Sequence, residues 1–147
     1  MKKLLDEHRP TGLLYDIGSF QVNRTYRDIV PCEYKGIDIC PGRNVDIVVP
    51  EDGDWSHLPQ ADMVISGQCL EHVKRPWQWM RQVASVLKLD RKLIIIVPWK
   101  WNIHRHPVDC WRVLPDGMRV LLEDFGFEVV EVGAKHVDTY GVGIRKF

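Results

Sequence analysis

The feature that most constrains this chain is a regular alternation of short, nearly continuous apolar runs with segments that are amphipathic or rich in turn residues. LLYDI at 13–17, YKGIDI at 34–39, VDIVV at 45–49, DMVIS at 62–66 and LIIIV at 93–97 are each five or six residues long. They are rich in β-branched and aromatic side chains and read as nearly continuous apolar strands. A strand can be apolar on both faces only where both are covered, as in a parallel sheet flanked by helices. Five parallel strands are therefore expected.

Two segments read as helices, one between the fourth and fifth of these runs and one after the fifth. Pro76 opens PWQWMRQVASVLK, in which Trp79, Met80, Val83, Ala84 and Leu87 recur at helical spacing opposite Arg81, Gln82, Ser85 and Lys88. PDGMRVLLEDFG repeats the device from Pro115, with Asp116 at the positive end of the helix dipole, Met118, Leu121, Leu122 and Phe125 on one face, and Gly126 as C-cap. Weaker patterns predict a helix at 2–9, a short one at about 21–30 and a helical turn near 54–58. FEVVEV at 127–132 and TYGVGIRK at 139–146 are separated by only six residues, too few for a crossover helix, so these two strands should run antiparallel. The expectation is an α/β fold: a doubly wound, mostly parallel seven-stranded sheet with an antiparallel last strand. At 147 residues it should form a single domain spanning 1–147.

Composition excludes several function classes. With 45% hydrophobic and 27% charged residues the chain is neither disordered nor fibrous. Twenty basic against 20 acidic residues leave a formal net charge of zero, which weighs against nucleic acid or an anionic membrane as partner. The strongest apolar run, 93–97, stops at Pro98, far short of the ~20 residues of a membrane span. The N-terminal MKKLLDEHRP lacks a signal-peptide hydrophobic region. Cys32, Cys40, Cys69 and Cys110 form no CxxC pair and read as reduced thiols, so a cytoplasmic setting is expected.

In doubly wound sheets, ligands bind at the carboxyl ends of the strands, where strand order reverses. The first strand ends in Asp16-Ile17-Gly18, a turn at which backbone can approach a ligand, although GSFQVN lacks the later glycines of GxGxxG. Asp38 ends the second strand twenty residues after Gly18, the spacing at which an acid accepts hydrogen bonds from both hydroxyls of a cofactor ribose. Asp38 could equally be a helix cap or a surface turn residue.

Taken together, LLYDIGSFQVN, YKGIDI, VDIVVPEDGDWSHLP, ADMVISGQCLEHVKRPWQWMRQVASVLK and LIIIVPWKWNIHRHPVDCWRVLPDGMRVLLEDFGFEVVEV resemble the class I S-adenosylmethionine-dependent methyltransferases, in their small bacterial type-11-like branch. The resemblance spans nearly the whole chain. It implies S-adenosylmethionine as cofactor, with Asp16, Gly18 and Ser19 along its methionine part, Phe20 in the same loop, and Asp38 with Ile39 at the ribose. Asp54 and Trp55 would border the adenine, with Glu51 and Asp52 competing for its amino group, and Gln68 would approach the sulfonium. The chain departs from the family at the bulkier Gly18-Ser19-Phe20-Gln21 loop and at Leu89-Asp90-Arg91, where a Pro-Gly-Gly turn is common. It also lacks the N-terminal cover of larger relatives, which implies an open acceptor site or one completed by a partner subunit.

The acceptor chemistry is expected in WKWNIHRHPVDCWR, residues 99–112, directly after the fifth strand. Methyl transfer to a hydroxyl or amine requires a base, and His104 or His106 with Asp109 is favoured, with His72 of LEHV as the alternative. The blander reading makes Asp109 and Arg112 a structural ion pair and the histidines loop caps. Trp99, Trp101, Trp111 and Arg112 would bind the acceptor, a small molecule and plausibly a sugar or glycan precursor; the same indoles, with Trp77 and Trp79, equally suit a homodimer patch. HxHxxD matches no strong zinc signature, and no metal is assigned. A catalytically degenerate binding module and a nicotinamide-dependent oxidoreductase are the competing readings.

Overall fold

The computed structural model describes residues 1–147. Its strands are β1 (Leu13–Ile17), β2 (Glu33–Asp38), β3 (Ile47–Val48), β4 (Ala61–Gly67), β5 (Leu87–Pro98), β6 (Phe127–Lys135) and β7 (Asp138–Arg145). They form one sheet in the order β3-β2-β1-β4-β5-β7-β6. The first five are mutually parallel where they pair, and β7 runs antiparallel to both β5 and β6. This is the expected doubly wound, mostly parallel seven-stranded sheet.

The central strands read as unbroken apolar runs because alternate residues serve two different cores. Tyr15, Ile17, Val64, Leu93, Ile95 and Val97 belong to one, and Leu14, Met63, Ile65 and Ile94 to the other. The first core is closed by α2 (Pro76–Ser85), through Trp79, Met80 and Val83, and by α3 (Pro115–Asp124), through Met118, Leu121 and Leu122. The second is closed by α1 (Lys2–His8) through Leu4 and Leu5. Each fully buried side chain of this size contributes about 1.5–3 kcal/mol. The completely buried Met118 and Leu122 therefore outweigh the ~1 kcal/mol that Gly117 costs α3. α3 sits so close on β7 that a Cβ on Gly141 would stand 2.5 Å from Met118 Cγ.

Four expectations need correction. The helix at about 21–30 is only a 3-10 turn, Arg27–Ile29. Val22 and Ile29 are exposed, so there is no apolar stripe to bury, and Arg27 instead donates to Asn44 Oδ1 at 2.8 Å and Asp46 Oδ2 at 2.5 Å. Asp46 also accepts the Gly36 N–H at 2.7 Å, which uses the side chain in place of a ladder bond and shortens the third strand to Ile47–Val48. Residues 54–58 form turns, with Asp54 accepting both the N–H and the hydroxyl of Ser56 at 2.8 Å. Finally, α2 stops at Ser85 and β5 begins at Leu87, so Leu89-Asp90-Arg91 is a bulge inside the strand: Leu87 pairs with Ala61 but Lys92 with Met63. Asp90 supplies the left-handed residue at φ +58°, a conformation Asp tolerates better than most side chains. No helix is long and apolar enough to cross a membrane.

Candidate active site

Strand order reverses between β1 and β4, and the carboxyl ends of the strands there open into a cavity of about 540 Å³. That lies within the roughly 300–1,000 Å³ typical of small-molecule sites. Gly18 makes its tight turn: its N–H donates to Ile37 O at 2.9 Å, and its φ is +82°. A Cβ there would lie 2.4 Å from Cys69 Sγ and 2.5 Å from Cys69 Cβ, so only glycine fits. Asp38, half-buried on the cavity wall, accepts the N–H of Phe20 on one oxygen and that of Cys40 on the other, both at 3.1 Å. The carboxylate is thereby fixed in place by the loop after β1 and by its own turn.

Gly18, Phe20, Asp38, Ile39, Trp55 and Gln68 all line this cavity. Asp16, Ser19 and Asp54 do not. Asp16 is buried beneath it, accepts the Tyr34 hydroxyl, and is pushed up to about 7 by burial. Ser19 is buried too, donating to Asn44 O at 3.1 Å while Asn44 Nδ2 donates back to Ser19 O at 3.0 Å. Asp54 caps its own turn in solvent, and Glu51 occupies the cavity wall instead, accepting from Lys74 Nζ at 3.2 Å. Trp55 is buried with its indole N–H donating to Pro50 O at 3.1 Å. Gln68 sits at φ +57° and donates to Asp138 Oδ1 at 2.8 Å.

Three histidines from two segments, His72, His104 and His106, also line the cavity. Their rings pack edge to face, with centroids 4.9 Å apart for His72 and His104 and 5.6 Å for His72 and His106. His72 Nδ1 lies 2.6 Å from Val108 O, and His104 Nδ1 lies 3.1 Å from Asn102 O and 3.3 Å from Asp109 Oδ2. Asp109 stands behind the cavity, accepting the His104 N–H at 2.7 Å and a bidentate Arg112 at 2.6 and 2.8 Å. The hydrogen-bonded guanidinium holds its carboxyl well below the usual range. Arg112 also donates to Trp101 O and Asn102 O, so the pair braces the two limbs of the 99–112 loop.

The three tryptophans of that loop lie outside the cavity. Trp101 is 57% exposed, while Trp111 donates to Val73 O at 2.7 Å and meets Trp77 edge-on at 6.1 Å. Trp55 and Trp79 are the indoles that face inward.

One group was not singled out from the sequence. Glu71 is fully buried in the 3-10 turn Leu70–His72, and neither carboxylate oxygen has a hydrogen-bond partner. Its Oε1 lies 3.5 Å from His72 Nε2 and 3.7 Å from His104 Nε2, and burial pushes the acid up to about 7. Its backbone carbonyl accepts the N–H groups of Cys110 and Trp111 at 2.7 and 3.2 Å, which clamps the loop onto this turn. Its position beside His72 in LEHV was the one available signal.

No family profile matches the sequence, and no curated protein does. Solved structures do match. An S-adenosylmethionine-dependent methyltransferase from Aquifex aeolicus aligns at a TM-score of 0.73 and 18% identity, over 97% of this chain and 88% of that one. The fold is that of the class I methyltransferases. The Burkholderia thailandensis 1,6-didemethyltoxoflavin-N1-methyltransferase, solved with its substrate and S-adenosylhomocysteine, aligns at 0.75 and 15% identity over 99% and 76% of the two chains. The [4+2]-cyclase SpnF aligns at 0.72 and 15% over 99% and 80%. The class I methyltransferase fold thus carries more than one chemistry, and function has to be argued from the site. In this chain the cavity is lined by Phe20 and by three histidines, and the functional argument starts from those residues.

Proposed function

We propose that this chain binds S-adenosylmethionine in the cavity and transfers its methyl group to a small-molecule acceptor held against the histidine wall. The observation that carries the reading is the presence of two features in one cavity: the glycine-only turn with the anchored Asp38 carboxylate, and the histidines His72, His104 and His106. The residues present suit the cofactor. Asp38 offers carboxylate oxygens for a ribose diol, the wall by Val49, Glu51 and Trp55 offers an apolar slot with one acid for an adenine, and Gly18 leaves room for the amino-acid end.

When bound, S-adenosylmethionine supplies an electrophilic methyl carbon on a sulfonium. A lone pair of the acceptor oxygen or nitrogen forms the new bond to that carbon as the carbon–sulfur bond breaks, and the acceptor's proton must leave. His106 takes that proton, because both ring nitrogens of His104 face protein groups, Asn102 O and Asp109 on one side and Glu71 on the other. Asp109 and Arg112 act on the loop rather than on the acceptor, holding His104 in place. Sugars and glycan precursors remain the first acceptor class to screen. A second reading, a binding module that has lost catalysis, is favoured by the missing later glycines of the Gly18-Ser19-Phe20-Gln21 loop, which sets Phe20 on the cavity wall.

Thermal melting with S-adenosylhomocysteine tests the reading. At a hundred times Kd a ligand stabilises by ~2.7 kcal/mol, which for a domain of this size raises Tm on the order of 5–10 °C. No shift at millimolar ligand would reject it.

A further inference from the structure

The buried Glu71 carboxylate is an anomaly. A fully buried carboxylate without a donor is strongly disfavoured, yet both oxygens lack one, and the groups facing Oε1 are two imidazole nitrogens. Those nitrogens are themselves oriented from behind. His72 Nδ1 lies 2.6 Å from Val108 O, so the Nδ1–H donates to that carbonyl and the Nε2 lone pair is left facing Glu71. His104 Nδ1 is flanked by Asn102 O and Asp109 Oδ2, and its Nε2 is likewise left facing Glu71. With Glu71 ionised, one carboxylate oxygen and two imidazole lone pairs therefore face one another with no donor among them. Such an arrangement is stabilised by a cation.

We propose that Glu71 Oε1, His72 Nε2 and His104 Nε2 form a divalent-cation site, of the class that accepts two imidazoles and a carboxylate, with zinc as the best fit. All three ligand atoms lie within 4.8 Å of one another. The 3.5 and 3.7 Å separations from Oε1 are close to the ~3.4 Å between ligands held 2.0–2.1 Å from a tetrahedral ion. The backing of His104 by a carboxylate and of His72 by a backbone carbonyl is the arrangement that fixes tautomer and ring angle in metal-ligating histidines. Both histidines line the cavity while Glu71 lies behind them, so the remaining coordination position opens toward the ligand space. There the cation would take an oxygen of the acceptor. That role rests on the methyl-transfer reading, whereas cation binding itself does not.

The test is calorimetric titration of chelator-treated protein with zinc chloride, and separately with magnesium and manganese chloride, without cofactor or acceptor. A second group, Glu7, His8 and Glu131, gathers at the surface and supplies the control. The proposal predicts one zinc equivalent that is lost, or weakened at least about tenfold, in Glu71→Gln and in His104→Ala, and that is kept in His8→Ala. Cobalt substitution should give visible ligand-field bands in the parent that are missing from His104→Ala, a surface-loop change that keeps the test decisive if Glu71→Gln fails to fold. No divalent-ion binding, or binding abolished by His8→Ala and untouched by the other two variants, overturns the site and leaves Glu71 as an acid held by shared protons. Loss of cofactor binding with zinc uptake intact would instead count against the methyl-transfer reading alone.

Discussion

Gly18→Ala offers the sharpest structural prediction, because its cost separates into two parts that can be measured independently. At φ +82° an alanine pays for a left-handed backbone, about 1–2 kcal/mol. Its Cβ would also stand 2.4 Å from Cys69 Sγ and 2.5 Å from Cys69 Cβ, an overpacking that costs about 1–3 kcal/mol once neighbours shift. The sum, about 2–5 kcal/mol, is a large share of the stability of a domain this size. Cys69→Gly removes both clashing atoms and leaves the Cys69 Cα at 3.7 Å, an ordinary contact. In that background Gly18→Ala should therefore cost only the backbone part, giving a coupling of about 1–3 kcal/mol in a double-mutant cycle. Urea denaturation followed by tryptophan fluorescence and circular dichroism reads all four proteins. Equal costs in both backgrounds would refute the claim that Cys69 closes this turn, and a cost below about 0.5 kcal/mol in either would refute the left-handed turn itself.

Three further outcomes are expected. Asp38→Ala should weaken S-adenosylhomocysteine binding by roughly 1.5–3 kcal/mol, or about 10- to 150-fold in Kd, with the fold retained by circular dichroism; unchanged affinity would remove Asp38 from the ribose site. Glu51→Gln should lower that affinity and Asp54→Asn should not, because only Glu51 lines the cavity; calorimetry showing the reverse order would return the adenine contact to Asp54. Asp16 should make stability fall as pH rises from about 4 to about 7: the folded carboxyl, raised to about 7 by burial, keeps its proton while the unfolded one loses it near its ordinary 3.8. The groups facing it are the Tyr34 hydroxyl, Asp38 and Arg27, and Asp16→Asn should flatten this part of the profile in urea melts at successive pH values; an unaltered slope would show that Asp16 is already ionised in the fold.

The elements that could be read from the sequence are those whose burial is set by their own residues. β1, β4 and β5 are apolar on consecutive positions because helices cover both faces, and α2 and α3 carry proline starts and an apolar stripe. The elements misjudged are those decided by side-chain hydrogen bonds from distant residues. Arg27 reaches Asn44 and Asp46 across 17 and 19 positions, and Asp46 in turn accepts the Gly36 N–H just ahead of β3. The same division runs through the site. Gly18 and Asp38 are linked by a spacing along the chain, so they were visible as a pair. Glu71 becomes notable only when the 99–112 loop folds back and sets His104 Nε2 against it, a contact across 33 positions that no local pattern records. Trp101 and Trp111 drew attention by density, but the loop turns them outward while the histidines turn in.

Isothermal titration of the purified chain with S-adenosylmethionine, S-adenosylhomocysteine and NAD tests the central claim most directly. Binding of one equivalent of each of the first two at micromolar Kd, with no heat from NAD, is the predicted result. Binding of NAD, or no binding of either sulfur ligand, would contradict it and leave the cavity to a different occupant.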